Sequence, residues 1–314
     1  MPRSSLTFIL LLACLFLLGC ASTATSPTAQ SSTPSNTQSV IVLAEISDDP
    51  GETVSLFLPL AEYLTANLDQ LGVTKVEIKV APDLEAMTQW MESGEVDVYF
   101  DSVYPALIVS QNGNGEPILR RWKGGVSEYN TVFLTRADSG ITTLGDLEGR
   151  TLAFSEPYST SGYMLPLVKL LESGFTPVEN LRSNSPVPDD KIGYVFAYDD
   201  DLIIEWVLEG RVTAGAIDST RFQKLTAEQR SQVSIIAETK SVPRQVAVVN
   251  SNMTPDLKEA IRVLLLELDE TEEGRAILAA FDETAQFDEF PGGTTQALAE
   301  MRAMFEIMQA FAQR

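Results

Sequence analysis

From Val40 onward, short apolar runs alternate with longer stretches in which apolar residues recur every three to four positions. VIVLAEI reads as a buried strand, and Phe57, Leu60, Ala61, Leu64, Leu68 and Leu71 then mark one face of a helix that Gly72 stops. VEIKV is a second strand. Asp83 is placed to cap a helix carrying Leu84, Met87, Trp90 and Met91, closed by Gly94 before the strand VDVYF. This β-α-β-α-β order predicts an α/β architecture, a parallel sheet with helices on both faces.

The second half of the chain repeats the device. The Asp-x6-Trp-x3-Gly pattern of Asp83, Trp90 and Gly94 recurs as Asp199, Trp206 and Gly210, and the strand after each ends in the same dipeptide, Asp101-Ser102 and Asp218-Ser219. Ligands of open α/β sheets sit beyond the carboxyl ends of the strands. Asp101, Ser102 and Asp218 are therefore expected at a cleft between two similar lobes. Between the units, Tyr129 to Arg136 reads as one long strand, and VSIIAE and QVAVVN as a second strand pair; two such crossings would make a two-stranded hinge. The expected division is lobe 1 over 40–128 plus 246–314 and lobe 2 over 129–245, against the alternative of one continuous domain with long hairpins. Thr295 to Ala312 carries an apolar stripe of Leu298, Met301, Met304, Phe305, Met308 and Phe311, expected to pack on the first lobe. In the strand-like PILRRW, at least one of Arg120 and Arg121 is expected to face solvent.

Charge and composition narrow the chemistry. The chain has 314 residues, 22 Lys+Arg against 44 Asp+Glu and a net charge of −22. So acidic a surface repels nucleic acid and offers anionic membranes no basic docking patch. There is no histidine, which removes Ser-His-Asp and Cys-His nucleophiles and His-ligated zinc. No catalytic residue, metal or cofactor is expected.

The amino-terminus indicates the compartment. Arg3 precedes the apolar stretch Leu6 to Leu18, which ends in Leu17-Leu18-Gly19-Cys20. This resembles a bacterial lipoprotein signal: residues 1–19 are a leader, and the Cys20 thiol is the lipidation site. The apolar stretch is too short to cross about 30 Å of hydrocarbon, so anchoring would come from lipid alone. Residues 20–39 continue as an uncharged Ser/Thr/Ala/Pro/Gln tether without the apolar content to fold. The expected product is an extracytoplasmic monomer held to the bacterial membrane by its lipid.

The most informative segment runs from Ala153 to Pro166, AFSEPYSTSGYMLP. A strand ends near Phe154, Pro157 forces an extended turn, and Tyr158 leads into Ser159-Thr160-Ser161-Gly162 ahead of a helix that Pro166 fixes near its first turn. A helix N-terminus presents unpaired N–H groups and the positive end of its dipole. Three adjacent hydroxyls add donors, so a tetrahedral oxyanion can be held without a cation. Plain capping by one hydroxyl is the simpler alternative.

Within this segment and its surroundings, D-S-G-I (138–141), D-L-E-G-R (146–150) and A-F-x-x-P-x-S-T-S-G-Y-x-x-P (153–166) resemble the substrate-binding proteins of phosphate, phosphite and phosphonate ABC transporters. The likeness runs from about Val40 to Ile261. It implies a type II periplasmic-binding-protein fold, two α/β lobes joined by a two-stranded hinge and closing on a ligand in the interlobe cleft. It further implies that Ser159, Thr160 and Ser161 hold the ligand's oxygens, and that an ABC permease and ATPase receive it. Two departures stand out. Asp200 falls where many members carry histidine, and Asp101-Ser102-Val103-Tyr104-Pro105 replaces a Gly-Pro-type turn. Both put carboxylates near the pocket, where Tyr104 and Tyr158 are also expected. The implied ligand is a small phosphorus oxyanion. The alternatives are a cationic or zwitterionic small molecule, or a sensing domain without transport.

Overall fold

The computed structural model describes residues 39–313. The leader, Cys20 and the tether up to residue 38 lie outside the described residues. The strands are β1 (Val40–Ile46), β2 (Lys75–Ala81), β3 (Val98–Asp101), β4 (Gly115–Arg121), β5 (Glu128–Tyr129), β6 (Thr131–Arg136), β7 (Thr151–Phe154), β8 (Pro177–Glu179), β9 (Ile192–Phe196), β10 (Ala214–Asp218), β11 (Val233–Glu238), β12 (Val242–Pro243), β13 (Gln245–Asn250) and β14 (Phe287–Asp288). They form two six-stranded sheets, ordered β14-β4-β13-β3-β1-β2 and β11-β6-β10-β7-β9-β8, and a two-stranded ladder of β5 with β12. Each large sheet belongs to one lobe, and the ladder is the hinge between them.

The helices are α1 (Pro50–Asn67), α2 (Leu84–Ser93), α3 (Val103–Asn112), α4 (Leu165–Glu172), α5 (Asp200–Leu208), α6 (Ser219–Gln223), α7 (Ala227–Gln232), α8 (Pro255–Leu266), α9 (Glu272–Ala280) and α10 (Thr294–Ala312). Their starts follow local chemistry. The Asp83 carboxylate accepts from Ala86 N–H at 2.8 Å, and the Asp199 carboxylate from Leu202 N–H at 2.9 Å, so the repeated Asp-x6-Trp-x3-Gly units begin alike. They also end alike, because Gly94 and Gly210 take left-handed φ angles of 79° and 70°.

Strand alternation divides the first lobe's interior in two. Ile41, Leu43, Val98, Phe100, Ala247 and Val249 face α1, α8 and α9, where Phe57, Phe100 and Phe281 meet edge to face. Ala44, Tyr99, Val246 and Val248 face the opposite way, toward α2, α3 and α10.

Four expectations are corrected. Tyr129 to Arg136 is not one strand: it breaks at Asn130, and the residues before the break belong to the hinge. VSIIAE and QVAVVN do not pair with each other, since β11 lies on β6 in the second lobe while β13 sits between β3 and β4 in the first. Neither Arg120 nor Arg121 faces solvent. Arg120 is 6% exposed and bonded to Asp288 and Glu128, and Arg121 is fully buried, its guanidinium 3.6 Å from the Phe281 ring centre. Finally, α10 does not rest on the first lobe alone, because it packs on α3 and also on α4 and the turn before it, in the second lobe.

Candidate ligand-binding site

The second lobe brings its hydroxyls to the cleft through a tight turn. Between β7 and α4 the chain makes one π-helical turn, Thr160–Met164. Ser159 caps it, its Oγ accepting from Gly162 N–H at 2.9 Å. The turn is pinned from two sides: Ser155 N–H donates to the Gly162 carbonyl at 2.9 Å, and the Thr131 hydroxyl to the Ser161 carbonyl at 2.6 Å. Gly162 is required here, since a Cβ at that position would lie 2.3 Å from Ser155 Cβ. Thr160 and Ser161 are consequently buried at the base of the cleft, 1% and 7% exposed.

The first lobe contributes the start of α3, directly after β3. Ser102 adopts the extended cap conformation without a side-chain capping bond, and its N–H donates to Asp101 Oδ1 at 2.6 Å. Tyr104 N–H, in the first turn of α3, donates across the cleft to Thr160 Oγ1 at 2.8 Å. Two helical N-termini from different lobes therefore meet at this point, and their dipoles superpose on one small volume. Below them Tyr129, 3% exposed, has its phenol oxygen within hydrogen-bonding reach of the Ser161 and Thr160 hydroxyls.

Carboxylates surround this donor cluster. Burial raises Asp101, although the Tyr99 hydroxyl and Ser102 donate to it. Asp200 is pushed up to about 6, first by burial and then by the neighbouring Asp218, and the Ser155 hydroxyl lies beside it. Asp218 caps α6, accepting from Arg221 N–H at 2.8 Å and from the Thr220 hydroxyl. Glu156 is raised by desolvation and by Asp101 and Asp48 of the facing lobe. Burial likewise raises Glu45, with Lys123 and Arg121 opposing it.

The residues singled out from the sequence thus separate into groups. Ser159, Thr160, Ser161, Ser102 and Asp101 converge where the lobes touch. Asp200 and Asp218 adjoin each other and Ser155. Tyr104 offers its backbone N–H, while its ring lies 5.9 Å from Phe305 of α10. Tyr158 is 56% exposed and stands at the rim. The sequence reading missed Tyr129, Glu45, Glu156 and Arg244. The last of these stacks on Tyr129, its guanidinium carbon 4.6 Å from the ring centre. Tyr129, Glu45 and Arg244 lie outside any local motif and reach the cleft only through the hinge crossings and the facing strand ends, whereas Glu156 sits inside the Ala153 to Pro166 segment at a position its pattern leaves open.

Two α/β lobes hinged by a two-stranded ladder, with donors from both converging in the cleft, define a type II periplasmic binding protein. The chain belongs to the periplasmic substrate-binding proteins of phosphonate ABC transporters, whose family profile matches residues 44–291. The family is one of solute-binding proteins and not of enzymes. It is 31% identical over 166 residues to the phosphate-import protein PhnD of Mycolicibacterium smegmatis, a match covering 52% of this chain and 50% of that protein. The chain therefore spans about half the length of this curated relative. Among solved structures it is similar to XAC2383 from Xanthomonas citri bound to chloride ion, with a TM-score of 0.80 and 27% identity over 88% of this chain and 99% of that one. It also shares its fold with PhnD1 from Prochlorococcus marinus in complex with methylphosphonate, with a TM-score of 0.60 and 16% identity over 85% and 98% of the two chains.

Proposed function

We propose that this chain is the lipid-anchored extracytoplasmic receptor of an ABC importer, capturing a small phosphorus oxyanion such as a phosphonate, phosphite or phosphate. The observation that carries this reading is the contact from Tyr104 N–H to Thr160 Oγ1. It sets two helical N-termini against each other beside the Ser159, Thr160 and Ser161 hydroxyls, and a tetrahedral oxyanion entering there replaces the Thr160 oxygen as the acceptor of the Tyr104 N–H while the freed hydroxyls turn to donate to it. One relative is a phosphate-import protein and one similar structure is bound to chloride ion, and both agree with an anionic ligand.

The ring of Asp101, Asp200, Asp218 and Glu156 favours a ligand that also carries a donor. A fully ionised dianion beside these groups meets like-charge repulsion, whereas a monoanion or an aminoalkylphosphonate zwitterion presents a proton or ammonium to them. Asp218 is the best placed to accept from that donor.

A thermal-shift panel on the full chain tests both statements. A ligand that binds only the folded state stabilises it by about 2.7 kcal/mol at a hundredfold excess over Kd. Phosphate, phosphite or methylphosphonate should raise the midpoint, and Thr160→Ala combined with Ser161→Ala should abolish the rise. A quaternary amine shifting the midpoint when no phosphorus compound does so would overturn the oxyanion reading. Tighter binding of 2-aminoethylphosphonate than of a phosphate monoester, narrowed in Asp218→Asn, is the result expected from the carboxylate ring. The anchor is tested separately. Cys20→Ser should leave an unprocessed precursor that no longer carries lipid, and normal processing would remove the lipoprotein assignment.

A further inference from the structure

The basic side chains at the cleft end of the first lobe are not equivalent. Arg120 is taken up by Asp288 and Glu128. Arg121 spends its donors on the Thr284 hydroxyl, the Gln245 amide oxygen and the Phe281 carbonyl. Lys123 pairs with Asp282 and Glu45. Arg244 differs from all three: among the described residues its guanidinium has no ion pair and no hydrogen bond, only the ring of Tyr129 beneath it. In a chain with twice as many acids as bases, a half-buried arginine whose guanidinium forms no ion pair stands out: it feels Asp282 only at a distance, and that carboxylate is already paired with Lys123, whereas a partly desolvated cation is costly unless an anion or hydrogen bonds compensate it.

The position of Arg244 gives that anomaly a direction. It follows Pro243, the last residue of β12, and precedes β13, whose Gln245 and Val246 pair with Arg121 and Asp101. Arg244 therefore leaves the first lobe's sheet at the edge that faces the cleft. Its N–H donates to the Ser127 carbonyl at 3.0 Å, which ties the two hinge crossings together. The ring on which it lies belongs to Tyr129, on the other crossing, and the same tyrosine's oxygen is in hydrogen-bonding reach of Thr160 and Ser161. One phenol thus touches both the free guanidinium and the hydroxyls that end the cleft.

Resting on the oxyanion reading above, we propose that Arg244 is the ligand's counter-ion: its guanidinium, held flat on Tyr129 at the hinge, donates to the anion seated on Thr160, Ser161 and the start of α3. Hydroxyls and backbone N–H groups fit the shape of a tetrahedral head but discriminate weakly between charged and neutral oxygens. A planar cation with two parallel donors adds a demand for negative charge. Because Arg244 belongs to the hinge and not to either lobe's interior, it offers those donors to the ligand whatever the opening of the cleft, and the second lobe then closes over an anion already engaged.

Calorimetry on the full chain in detergent, with inorganic phosphate and methylphosphonate as probes, tests this. Arg244→Gln and Arg244→Met remove the charge, the second keeping an apolar stem over Tyr129; the result is read from whichever retains the wild-type apo melting midpoint. Loss of a charge-assisted hydrogen bond predicts a fall in affinity of roughly 10–100-fold, with Arg244→Lys losing less. The salt dependence of binding should flatten in the uncharged variants. Affinity within twofold of wild type in the uncharged variant, while Thr160→Ala with Ser161→Ala abolishes binding, would overturn the role of Arg244 and leave the oxyanion reading intact. If wild type binds neither phosphorus anion but binds methanesulfonate, that reading fails, and the same Arg244 variants measured on methanesulfonate decide the counter-ion by the same criteria. Binding of no anion at all would overturn both.

Discussion

Asp200 is the residue whose ionisation the fold disturbs most usefully. Burial, then Asp218, moves its carboxyl from an ordinary 3.8 to about 6. The folded state holds its proton more tightly than the unfolded chain, so folding is favoured while Asp200 is protonated, and that advantage is lost as pH rises from about 4 through 6. Apo stability should fall across this window, and Asp200→Asn should flatten the fall and raise stability at pH 7 by up to about 2 kcal/mol, discounted for the group's partial contact with water. Denaturant melts at pH 4.5, 6 and 7.5 check the direction; a variant with the wild-type slope would show that Asp200 is not the group responsible. Residues of this kind differ in how far the chain alone reveals them. Thr160 and Ser161 were legible as candidates because a hydroxyl run before a helix is a local pattern, Asp218 because it ends a strand, and Asp200 because the family resemblance puts a histidine there. Arg244 was not, since SVPRQVAV reads as an ordinary hinge-to-strand passage and its meaning arises only when Tyr129 is folded beneath it.

At the scale of elements, the turn from Ser159 to Met164 is where sequence reading met its limit. The expectation of a helix start near Pro166 matches α4, which begins at Leu165 with Pro166 in its first turn. The π-helical turn in front of it was not foreseen, because it depends on two clamps on its carbonyls, one from Ser155 just beyond β7 and one from Thr131 on the separate strand β6. Gly162 is the hinge pin of that arrangement. Gly162→Ala forces a methyl against Ser155 Cβ and Ser159 Oγ, and overpacking of this type costs about 1–3 kcal/mol. The expected outcome is a lowered melting midpoint together with loss of the phosphate or phosphonate shift, because the turn must move outward and carry Thr160 with it. An unchanged midpoint with an intact ligand response would mean that the turn accommodates the methyl. The short β5–β12 ladder was legible only in outline, since two paired residues per strand leave no alternation to read.

For the whole molecule, the repeated Asp-x6-Trp-x3-Gly units were enough to suggest two alike lobes, and the fold has two six-stranded sheets. What local patterns could not give is the order of strands within them, for β13 reaches back across the chain to lie between β3 and β4. The C-terminal helix was likewise legible as an amphipathic element but not in its placement. Met301, Phe305 and Met308 of α10 are buried against α3 of one lobe and α4 of the other, so the helix spans the seam between them.

That placement has a thermodynamic side. A helix seated on both lobes must surrender apolar contact with one of them each time the cleft opens, so the open and closed forms differ by more than the ligand's own hydrogen bonds. Observed affinity is the intrinsic affinity scaled by the fraction of molecules already closed, and α10 sets part of that fraction from a distance. Phe305→Ala, which removes the ring lying 5.9 Å from Tyr104, should therefore weaken phosphate or phosphonate binding without touching a ligand donor. The loss should appear mainly as faster dissociation, because the anion is engaged before the second lobe closes and a weaker closure releases it sooner, with association little changed; stopped-flow traces showing unchanged dissociation would place the helix outside this equilibrium. Seen this way, the last helix of the chain is a preload on the clasp, and its sequence is a dial for sensitivity that can be turned independently of what the cleft recognises.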